Sequence, residues 1–287
     1  MHVEHLEARN FRNLEPVNLP IHPGFVVVQG PNAQGKTNTL EALYVCATGK
    51  SFRNAPPREL VRHNEEGAKL RAIFSRQGVR HEIEVTLTTR RSIRVDGRAL
   101  RKTSQLLDLV NVVAFFPDDL RIIKGSPEER RRFLDRAVSN YRSELVDAAA
   151  SYEKALRSRN RILRENDAPP RELLDVYDVQ LCAHGAVIHR CRTEVLAELK
   201  PIAESIFSEL MGETTPLELS LDSGVPDSDD AADFEAHMAK VLNESYRRDV
   251  GRRSTNFGPH RADMRVVIQG REAKSFGSQG QQRATVL

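Results

Sequence analysis

Residues Gly24 to Cys46 read Gly-Phe-Val-Val-Val-Gln-Gly-Pro-Asn-Ala-Gln-Gly-Lys-Thr-Asn-Thr-Leu-Glu-Ala-Leu-Tyr-Val-Cys. Within them, Gly30 to Thr37 fit G-x-x-x-x-G-K-[S/T], a phosphate-binding loop pattern. The flanks agree with it. Phe25 to Val28 is an apolar, β-branched run that predicts a buried strand. Leu40, Leu43 and Tyr44 recur at helical spacing, so a helix is expected to start at the lysine. Strand, glycine loop and helix N-terminus together let backbone N–H groups crowd a polyphosphate where the helix dipole favours negative charge. The pattern assigns Gly30, Pro31, Asn32, Ala33, Gln34, Gly35, Lys36 and Thr37 to the nucleotide. Lys36 would reach the β and γ phosphates, and Thr37 would hold Mg²⁺ through its hydroxyl.

The chain of 287 residues is 39% apolar and 29% charged, with three cysteines, no tryptophan and a net charge of +3. No apolar run reaches the roughly 18 residues of a membrane helix, and the polar N-terminus lacks the apolar core of a secretory signal. Three cysteines without paired spacing point to a reducing compartment, so a cytoplasmic protein is expected. The charge is too small to imply a nucleic-acid partner by itself, so its distribution matters.

Before the loop, residues 2 to 8 and Val17 to Ile21 alternate as strands, joined through the basic turn Arg9-Asn10-Phe11-Arg12-Asn13. After it, residues 68 to 98 predict three antiparallel strands, with turns at Ser75-Arg76-Gln77-Gly78 and Val95-Asp96-Gly97-Arg98. From Arg71 to Lys102 there are nine Lys or Arg against three acids. A solvated sheet face and a phosphate-backbone footprint both fit that imbalance. Asn111 to Phe116 is expected as a further strand, ended by Pro117.

Ser126-Pro127-Glu128-Glu129 opens a helix, with serine as N-cap, proline at the first position and acids in the first turn. Tyr141, Leu145, Ala148, Tyr152, Ala155 and Ile162 continue it at heptad spacing, interrupted by Arg159. A turn at Asn166 to Pro170 leads to a second helix from about Arg171 to Leu210, with its stripe at Tyr177, Leu181, His184, Ile188, Cys191 and Val195. Two such helices make an antiparallel hairpin with a coiled-coil-like seam, each arm roughly 55 to 60 Å long and expected to project from the nucleotide domain, the other reading being that both pack flat as an ordinary helical subdomain. Cys182, His184, His189 and Cys191 imitate a zinc set. At 100° per residue they fall on opposite faces, which excludes one metal. Beyond Leu217 to Leu221, a strand, come an acidic linker, a helix at 232 to 249, a loop at Thr255 to Arg261 and a strand at Met264 to Ile268. A Gly-Ser-Gln-Gly loop, Gly277 to Gly280, then opens what reads as a helix.

An early phosphate loop, a helical hairpin insertion and a late Ser-x-Gly-Gln loop are laid out as in ABC-type ATPase heads. The chain resembles the RecF family of bacterial DNA replication and repair ATPases. The resemblance rests on Arg9 to Asn13, Gly30 to Asn38, Ala47 to Ser51, Phe116 to Leu120, Lys124 to Asp135, Gly258 to Arg261 and Ser278 to Arg283, in the family's order. It implies an α/β fold, a P-loop ABC-type ATPase head with an inserted helical lobe. The parts would be residues 1–123, 124–254 and 255–287. It implies an ATP-dependent homodimer in which Ser278 and Gly280 cap the γ-phosphate held by the partner copy, with Arg12 as a further phosphate contact. It also implies binding of double-stranded DNA beside single-stranded gaps and loading of RecA with RecO and RecR. No glutamine stands in Phe116 to Leu120 for the usual Mg²⁺ contact. The strand ending in aspartate and the adjoining catalytic glutamate would lie beyond Leu287. The chain is thus expected to be C-terminally truncated, with no catalytic residue of its own and at most a weak DNA-dependent ATPase activity. A small-molecule kinase or GTPase and a non-hydrolysing structural head are the other readings of the loop.

Overall fold

The computed structural model describes residues 1–53, 55–115, 121–212, 214–228 and 233–286. It forms two compact units, Met1–Val112 and Val113–Leu287.

The first unit is a curtain of strands with one long helix against it. Its elements are β1 (His2–Arg9), β2 (Val17–Pro20), α1 (Lys36–Thr48), α2 (Pro57–Leu60), β3 (Ala68–Arg76), β4 (Val79–Leu87), β5 (Arg91–Val95), β6 (Arg98–Ala99) and α3 (Ser104–Leu109). The strands lie in the order β2-β1-β3-β4-β5-β6, every pair antiparallel. Alternation decides which face is dry. Leu70, Ala72 and Phe74 of β3 and Ile83, Val85 and Leu87 of β4 are buried with Ala42, Val45, Cys46 and Ala47 of α1. The two expected turns form, each with two left-handed central residues, Gln77-Gly78 and Asp96-Gly97, as a tight hairpin requires.

Two expected strands do not form. Phe25 to Val28 has no ladder and is exposed, Phe25 at 96%. Asn111 to Phe115 is likewise without strand structure, with Val113 exposed. β-branched residues favour a ladder only where a neighbouring strand supplies partners, and no described segment of either unit pairs with these runs. Phe116 to Leu120 lies outside the described residues.

The second unit comprises α4 (Arg121–Lys124), α5 (Pro127–Tyr141), α6 (Glu144–Glu165), α7 (Arg171–Met211), β7 (Leu217–Asp222), α8 (Phe234–Glu244), α9 (Tyr246–Arg252), β8 (Asp263–Ile268), β9 (Arg271–Glu272), α10 (Ala273–Phe276) and α11 (Gln279–Val286). A capping box starts α5, where Ser126 Oγ accepts from Glu129 N and Glu129 accepts from Ser126 N. The single long helix expected from Ser126 is two. Arg142 leaves the helical region at φ −131° and ψ 89°, Leu145 stays buried and Tyr141 turns outward. The α6–α7 seam is present, with Leu145, Tyr152 and Ala155 facing Leu181, Ile188 and Cys191 in one core. Its arms differ, about 33 Å for α6 and about 61 Å for α7 at 1.5 Å per residue.

Within the second unit the hairpin is not free-standing. Its tip is tied down by Tyr246 Oη to Pro169 O (2.7 Å), Arg171 to Asn243 (2.5 Å) and Arg253 to Asp167 (2.6 Å). α7 also packs on β7, α8 and α11. The bland alternative, a helical subdomain lying flat, describes it better. β7, β8 and β9 form a second antiparallel sheet. No described helix is long and apolar enough to cross a membrane.

Candidate nucleotide site

Gly30 to Thr37 is a turn with two glycines, and the alanine Ala33, at positive φ. Gly30 has φ 150° and Gly35 has φ 89°. A Cβ on Gly35 would sit 2.4 Å from Leu14 Cδ2, so a side chain there would have to displace Leu14 or the loop, in a backbone conformation that favours glycine. α1 begins at Lys36, where the sequence places it, with Thr39 N bonded to Gly35 O at 2.8 Å. Lys36 Nζ folds across the loop and donates to Gly30 O (2.6 Å) and Pro31 O (2.7 Å). Pro31 to Gln34 and Thr37 face solvent. The basic turn buttresses the loop: Asn13 donates to Ala33 O (2.9 Å), and Asn38 donates to Asn13 Oδ1 (2.6 Å).

One turn into α1, a carboxylate missed in the sequence organises the floor of the site. Glu41 is fully buried. It accepts from Arg12 Nε (3.0 Å) and Nη2 (2.9 Å), from Ser51 Oγ (2.6 Å) and from Arg53 Nη1 (2.9 Å). Arg12 Nη1 also donates to Glu59 O, and Arg53 Nη1 to Asn38 Oδ1. Arg12 therefore acts here as a strut, its fork satisfied by Glu41 and a backbone carbonyl. A signal for this cluster existed in Gly49-Lys50-Ser51-Phe52-Arg53, which reads as a loop but carries the serine and arginine that meet Glu41.

In the second unit, Ser278 is the N-cap of α11. Its Oγ accepts from Gln281 N (3.2 Å) and Gln281 Oε1 accepts from Ser278 N (2.8 Å), a reciprocal capping box. Gln282 is buried and donates to Ala273 O and Gly277 O, which fixes the loop's entry. Gly277 is crowded, since a Cβ would lie 2.8 Å from Ala273 O, while Gly280 stands in the open. Ser278 and Gly280 are both exposed, beside N–H groups that the first turn of a helix leaves without partners.

The Gly258-Pro259-His260-Arg261 loop is anchored rather than open. Arg192 is held by Asp135 and donates to Pro259 O (2.8 Å), and Arg131 donates to Ala262 O (2.6 Å). His260 Nε2 faces Thr255 O at 3.2 Å and must donate to it, so Nδ1 accepts from Tyr152 Oη at 2.7 Å. Burial, with Arg261, Arg131 and Arg159 nearby, pushes the imidazole down to about 4. No group of three or more potential metal-binding side chains occurs among the described residues.

Comparison with known proteins fits this arrangement. A family model described as an AAA domain matches residues 5–167. DNA replication and repair protein RecF of Myxococcus xanthus is 40% identical over 288 residues, covering 98% of this chain and 76% of that protein. The chain belongs to the RecF family. RecF of Clostridium perfringens strain SM101 is 34% identical over 100% of this chain and 79% of its own length. Two solved RecF structures superpose over 99% of this chain and 78% of theirs. The RecF–ATPrS structure has a TM-score of 0.92 at 29% identity, and the RecF–ATP structure 0.91 at 30%. The fold is therefore that of RecF, a P-loop ABC-type ATPase head carrying a helical lobe.

Proposed function

We propose that this RecF-family chain binds ATP and acts in DNA replication and repair as a nucleotide-joined pair. The observation that carries the reading is the likeness of the whole chain to RecF with ATP, at a TM-score of 0.91, together with a P-loop in which Lys36 already bridges two loop carbonyls. Those carbonyl contacts hold an ammonium over the loop mouth, and the exposed Thr37 hydroxyl stands at the first turn of α1. Residues of this kind fit a triphosphate with Mg²⁺: Lys36 and the loop N–H groups hold the phosphates, and Thr37 holds the cation. The nucleotide supplies the charge that draws the second copy, and Ser278 with Gly280 caps it from that copy.

The reading extends to the partners. The closed pair binds double-stranded DNA at single-strand gaps and helps place RecA with RecO and RecR. The support is that the similar solved RecF is described as a recombination mediator in the RecFOR pathway. ATP acts as a switch because it binds the closed pair more tightly than the open one. Sedimentation with and without ATP tests this. ATP should drive association of the parent chain, and both Lys36→Met and Ser278→Arg should abolish it with far-UV circular dichroism unchanged. Unchanged association in both variants would refute the shared site.

A further inference from the structure

The outer face of the six-stranded sheet carries two neighbouring rows of opposite character. One row runs Glu7 (β1), Arg71 (β3), Glu84 (β4), Arg94 (β5), directly opposed across each strand pair. Its charges alternate, and Arg71 is gripped by Glu7 at 2.7 Å and by Glu82. The next row, two residues along, runs Arg9, Lys69, Thr86, Ser92. Here two cations stand directly opposite each other, followed by two hydroxyls. Arg9 and Lys69 are exposed, and neither has an ion pair among the described residues. Like charges directly opposite on a ladder destabilise it, whereas the row beside it shows the compensated arrangement. Ser92 leads along β5 to Arg94, exposed on the same face about 7 Å away.

From this contrast we infer that the Arg9–Lys69–Thr86–Ser92 row is the surface that meets the phosphodiester backbone of duplex DNA. Four strands about 4.8 Å apart give a row about 14 Å long. The row offers two full charges and two hydroxyl donors, the chemistry of phosphate contacts, which position a duplex without reading its sequence. The basic excess seen between Arg71 and Lys102 is thus partly cancelled by Glu7, Glu82 and Glu84. On these two rows, Arg9 and Lys69, which lie outside that stretch, are the cations with no acid directly opposite them. The inference rests on the DNA-binding reading above and names the face that performs it.

The test is a fluorescence-anisotropy titration of labelled duplex by the full chain with ATP, between about 50 and 200 mM salt. The parent is compared with Arg9→Ala/Lys69→Ala and with Arg157→Ala, a cation elsewhere that is already paired with Glu153. The double variant should bind about tenfold more weakly at the low-salt end. Its plot of log K against log salt should be shallower by nearly two, at about 0.9 per lost phosphate contact. Because a repulsive pair is removed, its melting temperature should not fall, and Arg157→Ala should match the parent. A parent that binds DNA with the same slope as the double variant overturns this surface and leaves the DNA-binding reading standing. A parent that does not bind DNA overturns both. Loss of affinity for polyglutamate with DNA affinity unchanged would give the face to an acidic protein and overturn the inference.

Discussion

Arg12 and Glu41, 29 residues apart, form a two-pronged ion pair at 3.0 and 2.9 Å beneath the phosphate loop. It joins the basic turn after β1 to the second turn of α1, so the loop's position depends on it. Glu41→Ala would leave Arg12 and Arg53 without their shared acceptor. Removing one partner of a fully buried pair costs about 3 to 5 kcal/mol. Both guanidiniums reach solvent here, so a loss of about 2 kcal/mol is expected in urea denaturation. ATP affinity should fall as well, since the second turn of α1, next to the loop, loses its brace. A variant with parent stability and parent affinity would mean that the cluster braces nothing.

Gly35 gives a sharper test of the loop itself. At φ 89° and with Leu14 Cδ2 2.4 Å from where a Cβ would sit, Gly35→Ala must move either the loop or Leu14. The backbone strain alone is about 1 to 3 kcal/mol. Binding of a fluorescent ATP analogue should fall at least about tenfold, which is about 1.4 kcal/mol. Gly35→Ala combined with Leu14→Ala should recover part of the steric component and none of the dihedral component. Gly97→Ala is the contrast, because that turn has open space around it and lies away from the loop. It should leave affinity unchanged.

What could be read from the sequence follows the range of the interactions. The start of α1 at Lys36, the two hairpin turns and the cap at Ser126 are set by residues within a few positions of each other, and all appear where expected. The break at Arg142 escaped because the heptad spacing runs unbroken from Tyr141 to Leu145, and periodicity alone does not register a kink. The strand expected at Phe25 to Val28 depends on a neighbour, which no local pattern reveals. Arg159 was visible as an interruption of the stripe. Its partners, 19 and 90 residues away, were not. At the site, the glycine turn and the start of α1 at Lys36 were legible, but Glu41 reads as an ordinary helical glutamate until Arg12, Ser51 and Arg53 are seen around it.

His260 makes stability pH-dependent. Its folded-state value is lowered to about 4, beneath the usual 6.5, chiefly by burial. A depressed value means that the unfolded chain takes up a proton that the folded chain refuses. The contribution is therefore complete above about pH 6.5 and is lost as pH falls towards 4, by about 3 kcal/mol at most. Urea midpoints of the parent and His260→Gln at several values between pH 7 and pH 4.5 isolate it, since the carboxylates titrate in both. The parent should lose stability more steeply on acidification. Parallel curves would show that the Tyr152–His260–Thr255 chain tolerates the imidazolium.

Arg159 tests how the helical lobe is held. The side chain is 1% exposed in the middle of α6 and donates to Asp178 on α7 (2.5 Å), Asp249 on α9 (2.7 Å) and Thr255 (3.0 Å). Asp249 is itself fully buried and also accepts from Asn256 N and Nδ2. Arg159→Met keeps most of the volume but strands two carboxylates, one of them without access to water. A loss of about 3 to 5 kcal/mol is expected, read as a shift of the urea midpoint. Adding Asp178→Asn and Asp249→Asn removes the uncompensated charge, so the triple variant should regain much of that loss although three polar partners have changed. If the single and triple variants were equally unstable, the packing of the arginine stem across α6, α7 and α9 would be the stabilising element rather than its charge.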